Sequence, residues 1–346
     1  MSIAPVVMPW NSSLANWDFK KVFIMRHNPT GEEITNQFAH TPVMYREVLA
    51  TIDEVSANGP AVVVDCTLGE GGHTEMILSR FPSVSMISFE RDAEILEIAK
   101  KRLAPFEGRV RFVNDNFSRI GKHCDGLEGQ IAVILYDFGI SSFHFDRSGR
   151  GFTYAGDEPL DMRLDQGCPR SAADIVNGYA FNDLARVFGE YGEERWAGKI
   201  ARAVIARRDA QPIHTTGDLA GIVLGAIPKR FHVKNIHPAT RVFQGLRIEV
   251  NGELDAIEQS LKDSWIYLAR GGRILAISFH SLEDRIAKRI FRDLERGCTC
   301  TRNDLCQCDR IPKVKILTRK PLLPTEIETD ENRRARSAKM RICERI

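Results

Sequence analysis

Between Ala61 and Phe138, short apolar runs rich in Val and Ile alternate with stretches whose apolar residues recur every three or four positions. The runs Ala61–Cys66, Val84–Phe89, Val110–Val113 and Ile131–Phe138 predict strands, and the spacing between them predicts helices from about His73 to Arg80 and from Ala93 to Leu103. Such alternation predicts a parallel sheet, because parallel neighbours need a crossover long enough to hold a helix. Upstream, Val43, Val48, Leu49 and Ile52 fall at helical spacing within His40–Val55, which predicts one more amphipathic helix.

The alternation stops after Phe138. From about Ser171 to Pro228 the pattern is helical only, and a long helical pattern continues from about Ala239 to Leu268. A strand at Arg273–Phe279 and a helix at Leu282–Leu294 then resume the earlier style. Two tail segments, Val314–Thr318 and Ala338–Ile346, suit an antiparallel hairpin with a long connection. The expected organisation is an extension at 1–39, a first α/β part at 40–147, a helical insertion at 148–240 and a second α/β part at 241–346. Residues 1–39 lack sustained periodicity and suit a flexible extension or a start assigned upstream of the true one, with Met25 close to the first organised segment.

Composition narrows this picture in three ways. The chain has 346 residues, 43% of them hydrophobic, enough for one large α/β domain with an insertion and too apolar for a disordered chain. The formal net charge is only +2, so affinity for nucleic acid must come from local basic patches. No apolar run approaches the length of a membrane span and no signal-peptide layout is present, which predicts a cytoplasmic protein. Of eight cysteines, Cys66, Cys124, Cys168 and Cys343 stand singly and suit reduced thiols. Cys298, Cys300, Cys306 and Cys308 form two CxC pairs around a short polar loop, a thiolate set for a structural zinc ion or a group of unliganded thiols.

The candidate chemistry starts at the loop after the first strand, "DCTLGEGGHT". Glycines there let backbone N–H groups approach a ligand. The loop lacks the lysine of a phosphate-binding GxxxxGK[ST], and Gly69, Gly71 and Gly72 give GxGG where a dinucleotide fingerprint wants GxGxxG. Glu90, ending the next strand, suits the two hydroxyls of an adenosine ribose, whether of a dinucleotide or of S-adenosylmethionine. Asp65 beside the loop would oppose a pyrophosphate and suit the ammonium of a methionine moiety.

Beyond the loop, the chain carries the long motifs "TLGEGGHT", "DFGISS", "RGFTY" followed by "PLDMRLD" (Arg150 to Asp165), "YGEERWA", "TRVFQGLRIEVNGEL", "ISFHSLEDR" and "NRRARSAKMR". Together these resemble the ribosomal RNA small-subunit methyltransferase H family, also called RsmH or MraW, from His40 to the C-terminus. The resemblance implies a class I S-adenosylmethionine-dependent methyltransferase fold, Rossmann-like with a mostly parallel seven-stranded sheet and an inserted all-helical subdomain for RNA recognition. It also implies methyl transfer to the 4-amino group of a cytidine in the decoding region of 16S ribosomal RNA. Carried over by motif, the donor-binding residues are Gly71, Gly72, His73, Glu90, Phe117, Asp137 and His144. Glu90 stands where aspartate is commoner, and His144 where glutamine is usual.

The reaction is an in-line displacement in which acceptors for the amine hydrogens orient a poor nucleophile. Asp137, ending the fourth strand, is placed at the ligand crevice of such a sheet, and Asp161, Arg163, Ser278, His280 and Ser281 are the other polar candidates. For His280 the competing role is a helix cap, since Ser281 and Asp284 form a capping-box pattern. Arg195, Lys199, Arg202, Arg207 and Arg208 of the insertion, with Arg333, Arg334, Arg336, Lys339 and Arg341 of the tail, supply cations for RNA phosphates. Each alone is as well explained as a solvated face. The expected partner is 16S RNA within the small ribosomal subunit, with no membrane, and a homodimer is left open. The rival readings are an NAD-dependent dehydrogenase, disfavoured by the missing third glycine, and a non-catalytic ribosome-assembly factor on the same fold.

Overall fold

The computed structural model describes residues 41–56, 59–234, 237–297 and 311–346. The cysteine cluster and residues 1–40 lie outside them. The first helix, α1 (Tyr45–Ser56), leads into β1 (Ala61–Asp65), α2 (Gly72–Arg80), β2 (Val84–Phe89), α3 (Ala93–Arg102), β3 (Val110–Val113), α4 (Ile120–Cys124) and β4 (Ile131–Asp137). A short α5 (Ser142–Asp146) precedes the helical stretch: α6 (Ala172–Gly178), α7 (Phe181–Arg186), a π-helical turn at Val187–Tyr191, α8 (Ala197–Ala210), α9 (Thr216–Ala226) and α10 (Thr240–Asn251). Then come α11 (Glu253–Ser264), β5 (Leu268–Ser278), α12 (Ser281–Glu295), β6 (Val314–Ile316), α13 (Glu326–Glu331) and β7 (Lys339–Arg345).

The seven strands form one sheet in the order β3-β2-β1-β4-β5-β7-β6. The pairs from β3 through β5 are parallel, whereas β7 runs antiparallel to β5 and β6 antiparallel to β7. β1 is hydrogen-bonded to β2 on one side and β4 on the other, so the winding reverses there and opens a crevice at the carboxyl ends of these strands.

Both sheet faces are covered, as near-continuous apolar strands require. Successive side chains point to opposite faces. Val64, Ile134, Tyr136, Ile274 and Ala276 join one core cluster, and Val63, Val133, Leu135, Leu275 and Ile277 join the other. A third cluster is built from the helical stretch and takes in Phe152, Leu184, Phe188, Ile200, Val204, Leu219, Phe243 and Leu246.

Two expected elements differ. The helical pattern from Ala239 to Leu268 is two helices, because Gly252 adopts a left-handed conformation (φ 60°) between α10 and α11. The strand expected at Arg273 begins at Leu268, where Leu268 pairs with Ile131 ahead of a register shift.

Candidate active site at the strand ends

The β1–α2 loop is fixed from both sides: Cys66 N–H donates to Leu135 O (2.9 Å) and Leu68 N–H to Phe89 O (2.9 Å). Gly71 caps α2 at φ 87°, and a Cβ there would stand 3.2 Å from Leu103 Cδ1. At Gly72 the added Cβ would meet Pro42 Cγ at 2.8 Å. Both positions need glycine, one for its backbone conformation and one for space.

Asp65 does not face the loop's open side. It is 1% exposed, and its oxygens accept the Thr67 N–H (3.1 Å) and the Thr74 hydroxyl (2.8 Å). Burial pushes its pKa up, opposed by His73 and Thr74. Its bonds therefore brace the loop, and the ammonium-binding role expected for it is not supported by this placement.

Glu90 accepts the Gly69 N–H through Oε2 (3.0 Å) and the Asp92 N–H through Oε1 (2.8 Å). It thereby joins the glycine loop to the start of α3. The residue keeps some exposed surface, yet desolvation of the carboxylate lifts its pKa to about 7, helped by the nearby Asp92 charge.

His73, in the first turn of α2, and Asp137, at the end of β4, come together with Nε2 and Oδ2 3.5 Å apart. Asp137 is held by its backbone N–H donating to Thr67 Oγ1 (2.7 Å). His73 Nε2 and Asp137 Oδ1 are buried without a hydrogen-bond partner in the protein. Buried polar atoms are normally satisfied, so an orphaned imidazole nitrogen and carboxylate oxygen at the crevice fit a polar ligand there. Phe117, just past β3, packs edge-on to Tyr136 with centroids 5.8 Å apart, leaving a partly exposed ring at the same sheet end.

His144 on α5 is 3% exposed, and its Nε2 lies 3.0 Å from Asp92 Oδ2. Arg150 donates to the same oxygen, and Asp92 Oδ1 caps α3 by accepting the Glu94 N–H (3.0 Å). Burial alone would raise the Asp92 pKa; the bonds from His144 and Arg150 outweigh it and hold the carboxyl below its usual range. Burial lowers the His144 pKa, with Asp92 in opposition. His144 therefore reaches the donor side through Asp92, which also donates its N–H to Glu90. Asp92 and Arg150 were not singled out from sequence. The available signals were an acid at a helix cap two residues after Glu90 and the arginine opening "RGFTY".

Asp161 and Arg163 pair with each other: Nε to Oδ1 and a terminal nitrogen to Oδ2, both 2.8 Å. Burial opposes, but Arg163 lowers the Asp161 pKa. Among the described residues its side-chain contacts are local, and none reaches Asp137.

His280 precedes α12 as its N-cap, with Nε2 3.1 Å from Glu283 Oε1. That separation lacks hydrogen-bond geometry, and both imidazole nitrogens are without a bonded partner. The capping carboxylate is Glu283 instead of Asp284: Oε2 accepts the N–H groups of Phe279 (2.7 Å) and His280 (3.2 Å). Asp284 pairs with Arg341 (2.6 Å), and Ser281 donates to Glu193. The frame is one residue earlier because α12 begins at Ser281 itself. Ser278 donates to Lys339 O (3.2 Å), a sheet contact.

The seven-stranded order and the reversal at β1/β4, with the glycine loop and Glu90 at the strand ends, define a class I methyltransferase fold. The model of the MraW methylase family matches residues 37–346, and the chain belongs to that family. It is 42% identical over 313 residues to the ribosomal RNA small subunit methyltransferase H of Clostridioides difficile, covering 90% of this chain and 100% of the relative. The protein of that name from Geobacter sulfurreducens is 45% identical over 316 residues, covering 89% and 99%.

Proposed function

We propose that the protein transfers a methyl group from S-adenosylmethionine to the exocyclic 4-amino group of a cytidine in the decoding region of 16S ribosomal RNA, in the cytoplasm. The observation that carries the reading is the His73–Asp137 pair, whose orphaned atoms lie at the crevice of a fold and family that act by methyl transfer. Among the described residues no helix is long and apolar enough to cross a membrane.

The donor, when bound, supplies an electrophilic methyl group. Gly71, Gly72 and His73 would hold its methionine end, Glu90 would accept the ribose hydroxyls, and Phe117 would pack on the adenine. His144 and Arg150 act one step away, fixing Asp92 and through it Glu90. Asp137 Oδ1 is free to accept a hydrogen of the target amine, which orients the nitrogen lone pair for in-line attack. His280, beyond the end of β5 and beside the buried Glu283, is the second group suited to the base or its phosphate. Asp161 acts by setting Arg163. A base paired in a duplex hides its amine, so the substrate is single-stranded or extruded.

The test is transfer of label from S-adenosylmethionine to undermethylated small subunits, alongside donor binding by calorimetry. Label in RNA supports the reading. Donor binding with no label in RNA would instead indicate an assembly factor, and a nicotinamide absorbance change would indicate the dehydrogenase. The four-cysteine site rests on sequence alone, and zinc per chain in protein purified without chelator decides it: near one supports a structural ion, near zero ends the idea.

A further inference from the structure

We propose that one side of α8, with the adjoining turn at Lys229–Phe231, is a docking face for the ribosomal RNA backbone, distinct from the donor crevice. This rests on the RNA-methylating reading above and adds where the RNA is held. Arg195 lies in the turn that leads into α8, and Lys199 and Arg202 follow three apart within the helix, so the two helical cations stand on one side of it. Their heads lie over aromatic rings. Arg195 is 5.6 Å from the Trp196 centroid and 4.9 Å from that of Phe231, Lys199 is 5.8 Å from Trp196, and Arg202 is 5.3 Å from Phe181. Arg230 completes the group at 4.9 Å from Phe231.

All four cations are exposed, and among the described residues none is in an ion pair or donates a hydrogen bond to protein. The same helix supplies the contrast: Arg207 lies 3.8 Å from Asp218, and Arg208 donates to Val176 O (2.8 Å). α8 also has no acidic residue in its first turn, where Lys199 opposes the helix dipole. Stability of the helix therefore does not account for the stripe. A guanidinium laid on a ring keeps its N–H edge available in a fixed plane, which suits bidentate contact with phosphate oxygens.

Arg195 also lines a cleft of about 550 Å³ with Glu190, Glu193, Glu194, Leu282 and Arg285, whose acids set one limit to the cationic face. Leu282 lies two residues beyond His280.

The experiment compares the full chain with a variant carrying Arg195→Ala, Lys199→Ala, Arg202→Ala and Arg230→Ala, using a decoding-region RNA fragment and assembled small subunits as probes across a potassium chloride series. We expect RNA affinity at least tenfold weaker and a slope of log affinity against log salt shallower by about 3, since each phosphate-bound cation contributes about 0.7–0.9. Donor binding should be unchanged, which shows the variant is folded, and Arg207→Ala with Arg208→Ala should alter the slope little. A donor-binding variant with unaltered RNA affinity and slope overturns the proposal. So does weakened binding to subunits with unaltered binding to the fragment, which would mark a protein contact. Wild-type protein that binds RNA but transfers no methyl contradicts the functional reading alone, and the slopes still decide the docking face.

Discussion

The strand ends and the outer side of the helical stretch are charged in opposite senses, although the whole chain carries only +2. At the strand ends Asp65, Glu90, Asp92 and Asp137 lie around a glycine loop, with His73 beside Asp137 and His144 and Arg150 on Asp92. Lys199 and Arg202 of α8, and Arg195 just before it, are exposed, and among the described residues none of the three is in an ion pair. Near-cancellation in the total thus conceals a separation suited to two unlike substrates, a sulfonium donor and a polyanionic acceptor. The acids are also tied in, each by backbone or side-chain bonds, whereas the cations are held only by rings. A small ligand calls for fixed groups, and a long backbone tolerates groups that adjust.

The largest effect is expected at the strand ends. Asp137→Ala should slow methyl transfer by roughly 10²–10⁴-fold, the range for loss of a group that positions or accepts a proton. Cooperative unfolding should persist, because the β4 ladder and the Asp137 N–H bond to Thr67 do not need the carboxylate. Wild-type turnover would remove Asp137 from the mechanism.

Next is a way to loosen the helical region alone. A Cβ on Gly245 would stand 2.6 Å from Val187 O, where α10 crosses the π-helical turn. Gly245→Ala should cost about 1–3 kcal/mol of stability through overpacking, seen as a lower Tm. Donor affinity should hold while RNA affinity falls. Equal loss of both would mean the two regions are not separable.

The third concerns pH. Glu90 has a pKa of about 7 in the free protein, so it gains a proton as the pH drops through 7. Its carboxylate is the form that accepts ribose hydroxyls, so donor binding releases a proton and weakens on acidification. Affinity at pH 6 should be about tenfold below that at pH 8, one pKa unit on either side. Glu90→Gln should flatten this dependence, and a flat wild-type profile would show that Glu90 does not contact the donor.

The smallest effect is expected at His144. Its Nδ1 has no partner and its Nε2 meets Asp92, a contact that a glutamine amide can also make. His144→Gln should therefore shift donor affinity by about threefold or less, on the scale of one hydrogen bond exchanged for another. A tenfold loss would show that the imidazole does more than hold Asp92.

What the sequence made legible follows from range. The strands, the glycine loop and Glu90 show in local pattern, since continuous apolar runs of strand length and φ-positive glycines leave marks within a few residues. The break at Gly252 was hidden because the apolar spacing continues through it. The Asp92–His144–Arg150 group joins positions 52 and 58 residues apart, and no local spacing encodes such a contact. The placement of Asp65 is hidden for a related reason: only the fold shows that it is 1% exposed, with its carboxylate turned to Thr67 and Thr74. The α12 cap was displaced by one residue because "SLED" offers Ser281/Asp284 and His280/Glu283 in adjacent frames.

The most direct test is position-resolved nucleoside mass spectrometry of undermethylated small-subunit RNA after incubation with donor and either wild-type protein or Asp137→Ala. The account predicts N4-methylcytidine at one decoding-region position with the wild type and none with the variant. A methyl group on a ring carbon or on another base, or equal N4 methylation by the variant, would contradict it.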